Sequence, residues 1–345
     1  VSRFAGLVIV VCALGCHRLG DAAGEDPGDA TTGDSLTACD GAITRAPVVM
    51  AETIAYAPDV IVDGDTLVVV EPGQSGQLRR LDRCTAAELS STPVPFLDRA
   101  IVHDGAVVFT GILEGPITYL ERWDEAAEDL VFLSEAPFSR LFSHSTGLYL
   151  AAREQIHRYD PASASLELVH TIDTLDIPGL LVGHIGMNEA GIYYRRDYDC
   201  GCTPALSRWS VESGQTVGVP GTPGARRLAT VGERIFLNVD QNPNGFGSGI
   251  DDIVELPIDG GEPQLLFSGI LEDGPIQSIA ANQQWVCWTN RVRPPRCMSR
   301  VDGELVEFDG QFDGEVVYRQ IALAEDMIYW FVEQNGESTL MAAAL

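Results

Sequence analysis

Residues 104–111 read DGAVVFTG, a turn followed by a run of large apolar residues, and the same phrase returns along the chain. It is DGDTLVVV at 63–70, STGLYLAA at 145–152, EAGIYYRR at 189–196, VGERIFLN at 231–238, NQQWVCWT at 282–289 and AEDMIYWF at 324–331. Aligned on Leu67, Val107, Leu148, Ile192, Ile235, Val286 and Ile328, the steps are 40, 41, 44, 43, 51 and 42 residues. A second phrase follows each: QLRRLDR (77–83), YLERWDE (119–125), QIHRYDP (155–161), ALSRWSV (205–211), DIVELPI (252–258), CMSRVDG (297–303) and TLMAAAL (339–345). Both phrases are short, rich in Val, Ile, Tyr, Trp and Phe, and bounded by Gly, Pro, Asp and Asn. That is strand chemistry.

Seven units of this period, with several strands each, predict an all-β, seven-bladed β-propeller. One blade cannot bury both of its faces, so neighbours must pack on it, and closing the ring hides the open edges. The last unit has room for only three strands, near VYRQIALA (317–324), MIYWFV (327–332) and STLMAAAL (338–345). An unassigned apolar strand, RAPVVMAETIAYA (45–57), precedes the first unit. It is expected to supply the missing outer strand, so that the N-terminal strand closes the last blade. The pattern, above all VCWTN (286–290) and MIYWF (327–331), resembles the YWTD, NHL and TolB-like propellers over residues 45–345. The resemblance implies the fold; function has to be read from a site.

The chain opens VSRFAGLVIVVCALGC. Arg3 followed by the apolar Phe4–Leu14 has the form of a secretory signal, too short to span a bilayer. ALGC (13–16) resembles the lipobox of bacterial lipoproteins, which implies a signal peptide at 1–15 and acylation of Cys16. Several buried acyl chains, at about 0.8 kcal/mol per methylene, hold a soluble body at a membrane. Residues 16–42 are rich in Gly, Asp, Ala and Thr and are expected to be a disordered tether; residues 43–345 form the propeller. The expected location is extracytoplasmic, lipid-anchored to the bacterial cell envelope at the outer membrane or cell surface.

With 22 basic and 50 acidic residues the net charge is -28. That argues against nucleic acid, and against any membrane contact beyond the anchor, because both need clustered positive charge. Every basic residue is arginine, which excludes lysine-based Schiff-base chemistry and the P-loop. Setting aside Cys12 and Cys16, six cysteines remain: Cys39, Cys84, Cys200, Cys202, Cys287 and Cys297. An even number outside the cytoplasm suggests disulfides, with 15 pairings open. Cys287 with Cys297 is the most local pair, Cys39 with Cys84 would staple the start of the folded body, and Cys200 and Cys202 either pair together or reach elsewhere. Arg80, Arg122, Arg158, Arg208 and Arg300 recur at one place in the repeat. They are therefore read as structural, pairing with the acid two positions on or with a neighbouring blade.

In repeat folds, insertions concentrate function on one face. The joins between the two recurring strands are RRDYDCGCTP (195–204), DQNPNGFGSGID (240–251) and NRVRPPRC (290–297) in blades four, five and six, against AREQ (152–155) in blade three. These three consecutive hairpins are expected to form one elaborated patch. Arg195, Arg196, Arg291, Arg293 and Arg296 are its candidate ligand-binding residues, the last three held out by the Cys287–Cys297 bridge, with pairing to nearby acids as the alternative. In the middle hairpin Asp240, Asn242, Asn244, Ser248 and Asp251, with Gly245, follow the spacing of a calcium loop, which needs oxygen ligands on alternate residues and a glycine at the turn. Similar loops occur in integrin-type propellers, so calcium is the candidate ion; a polar Asn- and Gly-rich hairpin is the alternative.

No recognisable catalytic motif is present, and the inner strands AIVHD (100–104), LLVGHIG (180–186), RLATV (227–231), SIAAN (278–282) and QIALA (320–324) are mostly apolar or small. The expected function is a monomeric, lipid-anchored binding module for a protein, peptide or glycan, using the loops of blades four to six. The alternative is an extracytoplasmic hydrolase, lyase or oxidoreductase with its site at the central channel.

Overall fold

The computed structural model describes residues 39, 45–53, 58–112, 117–124, 129–137, 140–173, 181–197, 206–222, 224–241, 250–258, 261–270, 274–308, 312 and 315–345. Cys16 and the rest of 1–38, Cys200, Cys202, Asn242, Asn244 and Ser248 lie outside them, as does the side chain of Arg196. Among the described residues every regular element is a strand.

Among the described residues five sheets have four strands and one has seven. The seven-stranded sheet runs β2 (Asp59–Asp63), β3 (Thr66–Glu71), β4 (Gly73–Asp82), β5 (Glu88–His103), β6 (Ala106–Ile112), β7 (Ile117–Asp124) and β8 (Asp129–Pro137). The next contains β9 (Arg140–His144), β10 (Gly147–Ala152), β11 (Gln155–Asp160) and β12 (Ser165–Thr171). It is followed by β13 (Leu181–Asn188), β14 (Gly191–Asp197), β15 (Ser207–Trp209) and β16 (Thr216–Gly218). Then come β17 (Leu228–Val231), β18 (Arg234–Asp240), β19 (Asp251–Pro257) and β20 (Gln264–Phe267), and after them β21 (Ile276–Ala281), β22 (Trp285–Asn290), β23 (Arg293–Ser299) and β24 (Leu305–Glu307). The last sheet joins β25 (Val317–Leu323), β26 (Met327–Gln334) and β27 (Glu337–Ala344) to β1 (Val48–Thr53) from the start of the chain. The β1 strand lies antiparallel to β27, with Val48 opposite Ala342 and Thr53 opposite Ser338. The expected closure by an N-terminal strand is what the register shows.

The long β5 explains why one sheet has seven strands. Its first part pairs with β4 and its second with β6, and Leu97 stands opposite both Gly73 and Gly111. It ends one four-stranded module and begins the next without a break.

The recurring phrase is the second strand of each module, and its apolar run is continuous because both faces are covered. On β3, Leu67 and Val69 pack towards Tyr329 and Phe331 of the last sheet, while Val68 and Val70 pack towards Val107 and Phe109. On β18, Ile235 and Leu237 face Tyr193 of the preceding sheet and Phe236 faces Trp288 of the following one. On β26, Trp330 meets Cys287 and Phe308. Each such side chain fully removed from water contributes about 1.5–3 kcal/mol. The apolar clusters therefore lie between successive modules, and the last module packs on the first. The first strands of the modules, β2, β5, β9, β13, β17, β21 and β25, each touch the next in a cycle that returns to β2. They line the axis of the ring.

Cys39 is bonded to Cys84, and Cys287 to Cys297. The second pair sits opposite in register on β22 and β23. It therefore ties two strands together and does not hold out a loop. This corrects the reading of 290–297. Only Arg291 and Val292 form the turn, and the chain resumes as a strand at Arg293. Prolines 294 and 295 fit there because the ladder is irregular between Trp288 and Asn290, and a bulge tolerates residues that lack an N–H.

Candidate functional site: one mouth of the ring

In each module a short turn joins the first strand to the second, which defines a turn end of the ring. The opposite end is where the first strands begin. Counted from the turn, Asp59 pairs with Val70, Arg99 with Thr110 and Arg140 with Ala151. The three side chains thus leave consecutive axial strands at one level. Arg227 stands at the same level before β17: Asn238 Oδ1 accepts the backbone N–H groups of Arg226 and Arg227 at 3.1 and 2.6 Å, in place of the next rung. In β21 and β25 the level is occupied by bulges, which carry Gln277 and Arg319. Four arginines and one aspartate therefore stand at this level of the axial strands, and Arg99 and Arg140 act on Asp59.

Their settings differ. Arg99 Nε lies 3.5 Å from Asp98 Oδ2, with both groups largely buried. Arg319 donates from Nε and Nη2 to Glu333 Oε2 at 3.0 and 2.8 Å. Arg227 donates from Nε to the Gln277 carbonyl at 2.6 Å, crossing to the next module. Asp59 Oδ1 accepts the Val60 N–H at 2.9 Å. Protein surrounds Asp59 although its surface is not fully covered. Burial pushes its carboxyl up to about 7, against the opposing pull of the Val60 N–H, Arg99 and Arg140.

The same mouth carries a second feature. Phe96 adopts φ 59°, the left-handed region that bulky residues avoid, and remains 48% exposed. It lies where β5 crosses between modules. Tyr119 Oη donates to the Pro95 carbonyl at 2.6 Å, and a β-carbon on Gly111 would stand inside the Tyr119 ring. Gly76 is equally close to Leu97 and the Val94 carbonyl. Ile112, also exposed, ends β6 beside this segment. The surroundings over-determine a strained, outward-facing aromatic.

The residues singled out from sequence are dispersed. Arg296 is buried at 7%, donates from Nε to Glu307 Oε1 at 2.7 Å and lies 5.6 Å over the Phe267 ring. It is a strand residue engaged within the fold, not a ligand-facing one. Arg293 is half-buried opposite Asn290, and Arg291 is exposed in the turn while its carbonyl accepts the Tyr318 N–H. Arg195 is half-buried and donates to the Ala225 carbonyl at 3.4 Å. Asp240 and Asp251 face each other across the root of their hairpin. Asp240 meets Arg226 at 3.3 Å, and Asp251 Oδ2 accepts the Ile276 N–H at 2.8 Å. Burial raises the Asp251 carboxyl. Among the described residues no three His, Cys, Asp or Glu side chains are grouped to hold a metal.

The recurring arginines work at the turn end. Arg80 meets Asp63 at 3.1 Å, Arg158 donates to the Thr146 carbonyl and Arg300 to that of Asn282. Arg208 reaches the Ile258 carbonyl of the next module at 2.6 Å. Asp82, Asp160 and Asp302 also accept the N–H groups of Thr85, Ala162 and Glu304 in their own turns, and Arg158 helps to hold the Asp160 carboxyl low.

No family model and no curated protein matches the chain. Solved structures do. The β-propeller domain of the trilobed protease from Pyrococcus furiosus is 13% identical, covering 84% of this chain and 96% of that one, with a TM-score of 0.61. U3-55K is 10% identical over 87% and 98%, at 0.61. The Pan2 WD40 domain of Neurospora crassa is 9% identical over 87% and 96%, at 0.59. The chain folds as a β-propeller. At these identities the likeness carries the fold alone, and the mouth described above belongs to the end of the propeller at which its axial strands begin.

Proposed function

We propose that this chain is a seven-bladed propeller, lipid-anchored through Cys16 outside the cytoplasm, and that it serves as a binding module for a protein or peptide. Support for seven blades comes from the seven repeats, from β5 serving two modules, and from the apolar clusters between successive modules. The observation that carries the binding reading is Phe96. An exposed aromatic held in a costly backbone conformation by Tyr119, Gly111 and Gly76 has no evident packing role. Exposed, pre-organised aromatics are the usual anchors of interfaces. The partner inserts an apolar side chain beside Phe96 and Ile112. This moves the expected interface from the hairpins of blades four to six to the crossing between the first two modules.

The test places a photo-crosslinking residue at position 96 or at Leu168, which is equally exposed on β12 at the outer edge. A protein adduct seen from position 96 alone supports the reading. Equal adducts from both positions, or adducts to glycan only, would sink it. For the anchor, labelled fatty acid should be incorporated and lost in Cys16→Ala; label retained in the variant would refute lipidation at that residue.

A further inference from the structure

We propose that the channel mouth binds an anionic oxygen group, a carboxylate or a sulfate- or phosphate-like oxyanion, between Arg99, Arg140, Arg227 and Arg319, and that Asp59 is the internal counter-ion it displaces. The inference extends the reading of this end as the binding face, but it stands on different residues. Four of the 22 basic residues occupy one level of the axial strands in a chain of net charge -28. Guanidinium groups are planar forks that fit carboxylates and oxyanions. Charges of one sign set among low-dielectric protein walls focus their field even when the molecule as a whole is acidic.

Asp59 already sits among these groups, on strand β2. Facing it are Arg99 from β5, itself 3.5 Å from Asp98, and Arg140 from β9. The strands packed on β2 bring the Arg79–Glu71 pair, 3.2 Å apart, from β4 and β3, and the Arg319–Glu333 pair from β25 and β26. Desolvation outweighs the nearby arginines and holds the Asp59 carboxyl up at about 7. An arriving anion competes with Asp59 for Arg99 and Arg140. Once protonated, Asp59 no longer opposes it, so binding above neutral pH takes up one proton from solvent onto the Asp59 carboxyl.

The sign follows. The competent form is the one with Asp59 protonated. Affinity is therefore greatest below about pH 7 and weakens about tenfold between pH 6 and pH 8, as the competent fraction falls from roughly nine-tenths to one-tenth. The experiment is calorimetry on the full chain in non-ionic detergent, with sodium sulfate and sodium acetate as probes at constant ionic strength. Sulfate is fully ionised over this range and acetate nearly so. Two buffers of different ionisation enthalpy report the proton.

The expected result is binding of at least one probe at pH 6, about tenfold weaker at pH 8, with close to one proton taken up at pH 8. Preference for sulfate or acetate tells an oxyanion from a carboxylate ligand. Arg140→Gln should weaken binding at least tenfold, and Arg234→Gln, at the turn end, should not change it. Asp59→Asn should bind about tenfold tighter than wild type at pH 8 and lose the pH dependence. That increase keeps the proposal testable even if Arg140→Gln fails to fold. No binding of either probe, equal losses in the Arg140 and Arg234 variants, or weaker binding in Asp59→Asn would overturn it. Each of these results leaves cross-linking at position 96 unaffected, so the two readings fail separately.

Discussion

Replacing Cys39 and Cys84 together by alanine should open the molecule at one place. Cys39 lies upstream of β1, the outer strand of the last sheet, and Cys84 lies in the turn after β4 in the first sheet. The bond therefore crosses the seam at which the ring closes. It spans 45 residues, and constraining a loop of that length in the unfolded chain contributes about 4 kcal/mol by chain entropy. The Cys287–Cys297 bond spans 10 residues and contributes about 3 kcal/mol by the same relation. Position matters more than this difference. Cys39 packs with Met50, Val60, Leu67 and Phe331, so losing the bond frees the strand that covers the edge of β27. Urea unfolding followed by tryptophan fluorescence reads the global loss. Hydrogen exchange of Val48–Thr53 reads the local one, and protection there should fall by up to roughly a thousandfold, since each 1.4 kcal/mol is tenfold. The other sheets should lose protection only in step with global stability. A stability change below about 1 kcal/mol, with exchange of β1 unchanged, would refute the assignment of this bond to the seam.

Further outcomes are expected. Gly111→Ala forces the Tyr119 ring away and should cost about 1–3 kcal/mol by overpacking, measurable by urea titration. It also frees the Pro95 carbonyl, so adducts from position 96 should fall even where the fold is retained. The stability contribution of Asp59 has the sign opposite to that of an ion-paired carboxylate. Its folded-state pKa lies above the ordinary 3.8, so the folded chain holds the proton more tightly than the unfolded chain. Its contribution is full below about pH 4, declines as pH rises to about 7 and is constant above. Wild type minus Asp59→Asn, measured by denaturant titration at a series of pH values, should show that decline; a difference that grows with pH would contradict it.

The repeat was legible because its physical cause is local. A turn followed by a strand buried on both faces needs a run of successive apolar residues: β3 and β6 carry four, β26 six, and β18 three before Asn238. The closing strand was legible as well, because the last unit is one strand short. The hairpin at 290–297 misled because two prolines and three arginines suggest a loop. The register shows a bulge next to a two-residue turn, and neither a bulge nor the burial of Arg296 against Phe267 leaves a signature in composition. The mouth was missed for a different reason. The axial windows AIVHD, SIAAN and QIALA each begin one residue past the level of the mouth, which omits Arg99, Gln277 and Arg319. Counting back from each turn brings out Asp59, Arg99, Arg140 and Arg227 together, a signal present in the sequence once the turn is used as the origin.

That origin also separates two uses of arginine in a chain with no other basic residue. At the turn end, Arg158, Arg208 and Arg300 donate to backbone carbonyls, and Arg208 does so across a module boundary. At the mouth, Arg99, Arg140, Arg227 and Arg319 share one level of the axial strands. The first set ties strands to turns, at Arg208 across a module boundary, and the second is placed to meet a ligand, so the two should be separable by mutation. Arg208→Met keeps the aliphatic length but leaves the Ile258 carbonyl without its charged donor, at a cost of about 1–3 kcal/mol. Its affinity for sulfate or acetate should not change. Arg140→Gln should do the reverse, losing anion binding with a smaller change in denaturant midpoint. Measured on the same preparations, a loss of anion affinity in Arg208→Met as large as in Arg140→Gln would mean that the mouth senses the integrity of the whole ring, and the division between the two ends would then be wrong.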